Sequence, residues 1–340
     1  MYKLLRNILF CLPAEASHNV ALRAMKIGEA LGASGLLAAN TADKAQPKNV
    51  MGINFPHIVG LAAGLDKNAD YIDALAAMGF GSIEVGTLTP RPQPGNPKPR
   101  MFRLKSEQAI INRLGFNNKG IDHACANIAR LKHRGVLGIN IGKNFDTPVD
   151  HANQDYIYCL RRCYESADYI SVNISSPNTP GLRNLQFGDE FNSLLDALKE
   201  EQSKLQAMHN VYKPIAVKLA PDMSEQQIAS CCESLRAREF DGIIVTNTTL
   251  DRSAVASHRY AGEAGGLSGA PLSARSCEVL KCIRAEVGPG MPVISVGGIM
   301  TAEHARQRIA AGADLLQIYT GFIYHGPQLI EQILAAIEAE

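Results

Sequence analysis

Eight short, β-branched apolar runs separated by longer amphipathic stretches constrain this chain more than any other feature. The runs are Ile58 to Ala62, Ser82 to Gly86, Val136 to Ile141, Tyr169 to Ile174, Ile215 to Leu219, Gly242 to Thr246, Val293 to Val296 and Leu315 to Tyr319. Helical spacing marks the segments that follow them: Asp70 to Met78, Gly120 to His133, Gln154 to Ser166, Glu190 to Met208, Ser224 to Arg238, Ala274 to Val287, Thr301 to Ala311 and Pro327 to Ile337. Strands that are apolar throughout and joined by helices belong to parallel sheets covered on both faces. Eight of them predict an α/β fold, a closed (β/α)8 TIM barrel, in which 46% hydrophobic residues supply a large core. The competing topology is a doubly wound open sheet, but no GxGxxG follows the first strand.

Residues 1 to about 40 precede the barrel and read as a separate helical piece, interrupted by Pro13 and ending near Gly32 and Gly35. Leu5, Ile8, Leu9 and Leu12, then Val20, Ala21, Ala24 and Met25, recur at helical spacing, with Lys3, Arg6, Arg23 and Lys26 among them. Such helices either lie in a membrane interface or pack on the barrel. Residues 87 to 118 and 247 to 272 exceed the usual strand-to-helix loop and are expected to cover the barrel mouth.

The remaining composition excludes several classes. Lys+Arg 34 against Asp+Glu 33 leaves no general field for nucleic acid, and none is expected as a partner. Eight cysteines without CxxC pairs read as reduced structural thiols of a cytosolic protein, and no metal site is expected. There is no run of 18 apolar residues and no apolar leader with a small-residue cleavage site, so secretion and membrane spanning are not expected.

In a TIM barrel the C-terminal strand ends converge on one site. Here they carry an unusual number of amides and hydroxyls: Asn140 after the third strand, Asn173 after the fourth, and Thr246, Asn247 and Thr248 after the sixth. Each alone could be a loop cap, but together they suit a polar planar ligand with donors and acceptors on its edge. Gly297-Gly298-Ile299 and Thr301 after strand seven, with Tyr319-Thr320-Gly321 after strand eight, form a backbone cradle for a phosphate. Gly265-Gly266-Leu267-Ser268-Gly269 adds further donors or is a flexible linker. Small residues in Ala63-Gly64-Leu65-Asp66-Lys67 allow a flat ring to approach closely. Lys67 and Lys218 are the lysines placed at strand ends; Lys67 also reads as a solvated loop charge, whereas Lys218, ending an apolar strand, requires a partner. The stretch NISSPNTPGLR from Asn173 places two adjacent serines at a strand end.

These segments resemble the dihydroorotate dehydrogenase family from about residue 45 to 330: GLAAGLDKN from Gly60, GFGSIEVGTLTPRPQPGNPKPR from Gly79, INRLGFNN from Ile111, GINIGKN from Gly138, NISSPNTPGLR and IVTNTT from Ile244. The resemblance implies an FMN-dependent barrel that oxidises dihydroorotate to orotate in pyrimidine (UMP) biosynthesis. By position it assigns the flavin to Ala63, Gly64, Leu65, Asp66, Lys67, Thr87, Asn140, Asn173, Lys218, Thr246, Gly269, Gly298, Tyr319 and Thr320. It assigns the substrate to Lys67, Asn112, Arg113, Leu114, Gly115, Phe116, Asn173, Asn178, Asn247 and Thr248, and catalysis to Ser176 as base, with Lys67, and with Thr179 and a bound water passing the proton onward. Serine in place of the cysteine of a soluble branch, together with the extension, resembles the membrane-associated, quinone-using branch. That implies residues 1–40 as a helical membrane and quinone-access segment, 41–340 as the FMN-binding catalytic barrel, and His18, Arg103 and Tyr319 along a quinone path. A monomer held peripherally on the cytoplasmic side of the cell membrane is expected. Other FMN barrels, such as hydroxy-acid oxidases or dihydrouridine synthases, a Schiff-base aldolase and a non-catalytic membrane-docked barrel remain alternatives.

Overall fold

The computed structural model describes residues 2–338 apart from 34, 36, 37, 42, 43 and 134. Helices α1 (Tyr2–Leu9) and α2 (Ala14–Ala30) come first, then a hairpin of β1 (Lys48–Val50) and β2 (Ile53–Phe55). The repeating core follows as β3 (Val59–Leu61), α3 (Ile72–Ala76), β4 (Ser82–Leu88), an insertion with β5 (Met101–Leu104) and β6 (Ala109–Asn112), α4 (Ile121–Ile128), β7 (Val136–Ile141), α5 (Ala152–Cys163), β8 (Tyr169–Asn173), α6 (Gly188–His209), β9 (Ile215–Leu219), α7 (Glu225–Ala237) and β10 (Gly242–Val245). It ends with β11 (Gly266–Gly269), α8 (Ser273–Val287), β12 (Val293–Val296), α9 (Ala302–Ala310), β13 (Leu315–Ile318), α10 (Thr320–His325) and α11 (Gln328–Glu338).

Eight parallel strands close into a barrel in the order β10-β12-β13-β3-β4-β7-β8-β9, the ring being sealed where β13 pairs with β3 in the register Leu316 opposite Val59. These are the eight runs the sequence marks, within a residue or two at each end. Side chains alternate between the two faces of each strand. One set, including Val59, Leu61, Ile83, Val85, Ile139, Ile170, Val217 and Ile243, packs outward in the large cluster shared with the helices. The other set points inward. Toward the strand starts it is apolar, with Phe55, Val136, Ala216, Ile244 and Ile294 in one cluster. Toward the strand ends it becomes polar, with Glu84, Asn140, Ser171 and Gln317 all buried.

Helix starts follow local chemistry. Ser224 accepts the backbone N–H of Gln227 while the Gln227 side chain returns to Ser224, a reciprocal cap contributing about 1 kcal/mol. Thr301 likewise accepts the His304 N–H at the start of α9.

Three elements were not expected. The β1–β2 hairpin contributes Val50 and Phe55 to the inner cluster at the barrel floor. The two long connections are not loops: β5, β6 and β11 form one antiparallel sheet, with Gly266 opposite Asn112 and Met101 opposite the same Asn112. The glycine-rich segment that doubled as a candidate linker is therefore a strand. Helix α10, beginning at Thr320, is inserted between the last barrel strand and α11.

Candidate active site

The mouth of the barrel holds a cavity, with Ala63, Gly64, Lys67 and Thr87 lining it from the first two barrel strands. Asn173, Ser176 and Asn178 come from β8 and its loop, Lys218 from β9, and Thr246, Asn247 and Thr248 from the end of β10. The inserted sheet supplies Asn112, Leu114, Gly115 and Phe116 after β6, and Ser268 and Gly269 from β11. Gly298, Tyr319 and Thr320 close the far end.

The polar groups form a continuous net. Thr87 donates to Asn140 Oδ1 at 2.6 Å and accepts from Asn173 Nδ2 at 2.8 Å. Asn140 Nδ2 donates to Glu84 at 2.8 Å and to Ser171 at 2.8 Å. Asn247 Nδ2 donates to Ser175 Oγ at 3.0 Å, and Ser175 in turn donates to Asn173 Oδ1 at 3.2 Å. These bonds fix the rotamers of the amides so that their remaining capacity faces the cavity. Two buried side-chain oxygens of the lining residues have no hydrogen-bond partner, Thr246 Oγ1 and Gln317 Oε1.

Charge in the cavity is positive. Neither Lys67 nor Lys218 has a hydrogen bond or ion pair among the described residues, and both line the cavity. Burial depresses the Lys218 pKa, opposed by the Glu84 charge below it. Burial brings Lys67 down to about 8, against the pull of Glu15 and Asp66. An unpaired cation in a partly buried polar cavity suits an anionic ligand. At the far end Gly298 has φ +72°, and a Cβ there would come within 2.4 Å of the Ser273 backbone, so only glycine permits this close turn. Beneath it the buried Arg308 guanidinium donates to Ser273 O at 2.6 Å and Gly297 O at 3.0 Å, adding positive potential under a glycine cradle. Thr320 donates to Ser268 at 2.9 Å and ties this end to the inserted sheet. Burial raises the Tyr319 phenol to about 12, keeping it neutral.

Ser176 is buried and lines the cavity; its Oγ accepts the Asn178 N–H at 3.2 Å. Thr179 is buried with its hydroxyl unpartnered, and no hydrogen bond joins it to Ser176. Five residues expected at the site do not line the cavity. Leu65 turns its side chain into a neighbouring apolar cavity. The Asp66 carboxylate instead accepts the backbone N–H groups of Asn68, Asp70 and Tyr71 at 3.1, 3.0 and 2.7 Å, and burial raises its pKa. Asn140 lies one layer below the cavity floor as the link between Thr87 and Glu84. Arg113 pairs with Glu263 at 2.7 Å on the outer side of its loop. Thr179 is the fifth.

Other contributors were not singled out in the sequence. Glu84 accepts from Asn140, from Tyr169 at 3.0 Å and from Gln317 at 2.7 Å, deep in the barrel. Arg183 donates to Ser175 O at 3.0 Å, Thr248 O at 2.8 Å and Asp222 at 2.8 Å, bridging two mouth loops. Its place in NISSPNTPGLR was the only available signal. Lys143, just past β7, is a third lysine beyond a strand end; it is held by Thr147 O at 2.8 Å and lies outside the cavity lining.

A second, largely apolar cavity lies between the extension and the barrel. Leu5, Leu9, Ala21, Ala24 and Met25 line one side, Leu65, Met101, Ile110 and Phe322 the other. His18 and Arg103 are among its few polar residues; Tyr319 belongs to the mouth cavity instead. Burial, then the charge of Lys67, brings His18 down to about 3. Arg103 lies over the Phe10 ring at 4.0 Å with its Nε unpartnered.

Fold and site together define a TIM-barrel protein with an amide-rich, lysine-bearing cavity at its mouth and a largely apolar annex beside it. Comparison with known proteins narrows this class. The dihydroorotate dehydrogenase family profile matches residues 46–340, and the chain belongs to that family. It is 55% identical to the dihydroorotate dehydrogenase (quinone) of Marinobacter nauticus over 340 residues, covering 100% of this chain and 99% of that one. It is 52% identical to the same-named protein of Azotobacter vinelandii, covering 100% and 97%. A crystal structure of DHODH from Eimeria tenella in complex with ferulenol superposes with a TM-score of 0.86 at 36% identity, over 95% of this chain and 90% of that one.

Proposed function

We propose that the chain oxidises dihydroorotate to orotate with FMN as its resident cofactor and a membrane quinone as electron acceptor. The carrying observation is that one cavity gathers two sets of residues: Lys218, Thr246, Gly298, Tyr319 and Thr320 on one side, and Ser176, Lys67, Asn112, Asn178 and Asn247 on the other. The first set fits a flavin mononucleotide: a glycine cradle over a buried arginine for the phosphate, and a lysine with orphan polar atoms for the ring edge. Bound there, FMN would take up the substrate's hydride and hand the electrons on to the quinone.

The protein's own part is binding and proton management. Lys67 supplies a cation for the substrate carboxylate, and the Asn112, Asn178 and Asn247 amides match the donors and acceptors of a pyrimidine ring. Ser176 removes the C5 proton. A serine hydroxyl is a weak base, and the Asn178 N–H on its oxygen makes it weaker, so the proton must leave through a further acceptor. The unpartnered Thr179 hydroxyl and a water relay it onward to solvent, because threonine is no better a base than serine and can only pass the proton along. The apolar annex, with the unpartnered Arg103 Nε as donor for a carbonyl, suits a quinone head on a lipid tail. Residues 1–40 then form the quinone-access and membrane-facing segment and residues 41–340 the catalytic unit, peripheral to the cytoplasmic side of the membrane and monomeric.

An anaerobic titration tests this reading. Purified protein should be yellow, bleach with one equivalent of dihydroorotate per flavin, and regain its colour on adding a quinone analogue. A yellow protein that dihydroorotate does not bleach would refute the assignment.

A further inference from the structure

Glu15 sits in the first turn of α2, in the extension, yet its carboxylate is turned toward Arg100 and Lys98 of the insertion between β4 and α4. Arg100 Nε donates to both of its oxygens at 3.2 Å and Nη2 to one at 2.7 Å, with Lys98 Nζ at 3.5 Å. The two side chains of this pair are only 18% and 7% exposed, so it differs from a surface ion pair of negligible value. Arg100 passes the constraint on: Nη1 donates to Pro94 O at 2.6 Å and Asn96 O at 2.9 Å, and its own carbonyl accepts the Arg113 N–H at 2.9 Å. Asn96 Nδ2 then donates to Arg113 O at 2.8 Å, with Asn178 O at 3.5 Å. A helix of the extension is thereby tied to the loop carrying Asn112 and Leu114 and to the loop carrying Ser176.

The same carboxylate acts on Lys67. The charged and titratable groups facing that ammonium are Glu15 and His18 from α2, Asp66 from its own loop and Arg100 from the insertion. His18 is neutral near pH 7 and Arg100 is cationic, so Glu15 and Asp66 are the anions that keep Lys67 protonated. Asp66 is already engaged by three backbone N–H groups.

We propose that Glu15 is a positioning residue for the dihydroorotate end of the site, clamping the substrate loop through Arg100 and holding the charge on Lys67, so that the extension completes the substrate site as well as the apolar annex. The proposal rests on the functional reading above, in which Lys67 meets the substrate carboxylate.

The test uses full-length flavin-loaded protein and follows orotate binding through the flavin absorbance across pH. In the unsubstituted protein, affinity should decline as pH rises through about 8, where Lys67 loses its proton. Glu15→Gln should weaken binding about tenfold at neutral pH and move that decline down by about one pH unit, the effect of losing a nearby opposite charge. Glu15→Asp keeps the charge but cannot span the same distance; it should lose about threefold, a fraction of a charge-assisted hydrogen bond, with the decline unmoved. Should Glu15→Gln fail to fold, Glu15→Asp carries the test alone, and unaltered affinity in it overturns the proposal. Glu15→Gln curves that superimpose on the unsubstituted ones overturn it, as does weaker binding with an unmoved decline, which would mark a purely structural pair. If the unsubstituted protein does not bind orotate at all, the functional reading itself falls.

Discussion

At the scale of single residues, the cavity separates groups that line it from groups that hold those groups in place. Asn140 and Glu84 illustrate the second kind: both are fully buried, and through Thr87 and Gln317 they orient atoms at the cavity floor without reaching it. Removing either would leave a buried donor or acceptor unpaired, at a cost of about 1–3 kcal/mol. Ser176 is of the first kind, and its replacement separates chemistry from binding. Its hydroxyl carries no structural bond except the Asn178 N–H it accepts, so Ser176→Ala should fold and retain flavin. Loss of a positioned base should slow flavin reduction by dihydroorotate about 10²–10⁴-fold, measured by anaerobic stopped-flow. Reduction at the unsubstituted rate would remove Ser176 from the proton-transfer role.

At the scale of elements, the barrel was legible because each strand is buried on both faces and each following helix is amphipathic, so one apolar run repeats eight times. The strand-end amides were legible for the same reason, their positions being fixed by the strands before them. The inserted sheet was not, since β5, β6 and β11 are four residues each, and β11, far along the chain from the β5–β6 hairpin, acquires its pairing only when the fold brings Gly266 beside Asn112. Nor could the roles of Asp66 or Arg113 be read, because adjacent residues on a tight turn face opposite ways and only backbone geometry decides which meets the cavity. The packing of α2 on the barrel carries its own pH dependence. His18 falls from an ordinary 6.5 to about 3 once docked, so between those values the detached helix binds a proton that the docked helix refuses. Docking is therefore at full strength above about pH 6.5 and weakens as pH falls. Hydrogen exchange in α1 and α2, corrected for the intrinsic rate, should quicken on acidification while the barrel strands stay protected, and His18→Leu should flatten that response. An extension whose protection is independent of pH would refute this account.

At the scale of the whole molecule, the amide-rich mouth and the largely apolar annex adjoin where successive residues line first one and then the other. Gly64 lines the polar mouth and Leu65 the apolar annex; Gly321 and Phe322 divide in the same way. A quinone in the annex would thus lie next to a flavin in the mouth without ever entering the polar site, which keeps the two substrates on separate routes. The extension forms the outer wall of the annex and turns Leu4, Ile8, Val20, Ile27 and Leu31 outward, all at least 47% exposed. No helix among the described residues is long and apolar enough to cross a membrane. An exposed apolar face with Lys3 and Arg6 beside it is suited to lying in a lipid interface, where basic groups meet phosphates. The two halves of the reaction should therefore respond differently to a change made in the annex. Ala21→Phe fills space between α2 and the barrel, far in sequence from every mouth residue. It should leave bleaching by dihydroorotate unchanged while raising the KM for a long-tailed quinone about tenfold, roughly the discrimination an apolar pocket achieves against a misfit of one or two carbons. Steady-state kinetics with tailed and tail-less quinones, set beside single-turnover bleaching, would decide it. Equal impairment of both half-reactions would mean that the annex is not a separate entrance.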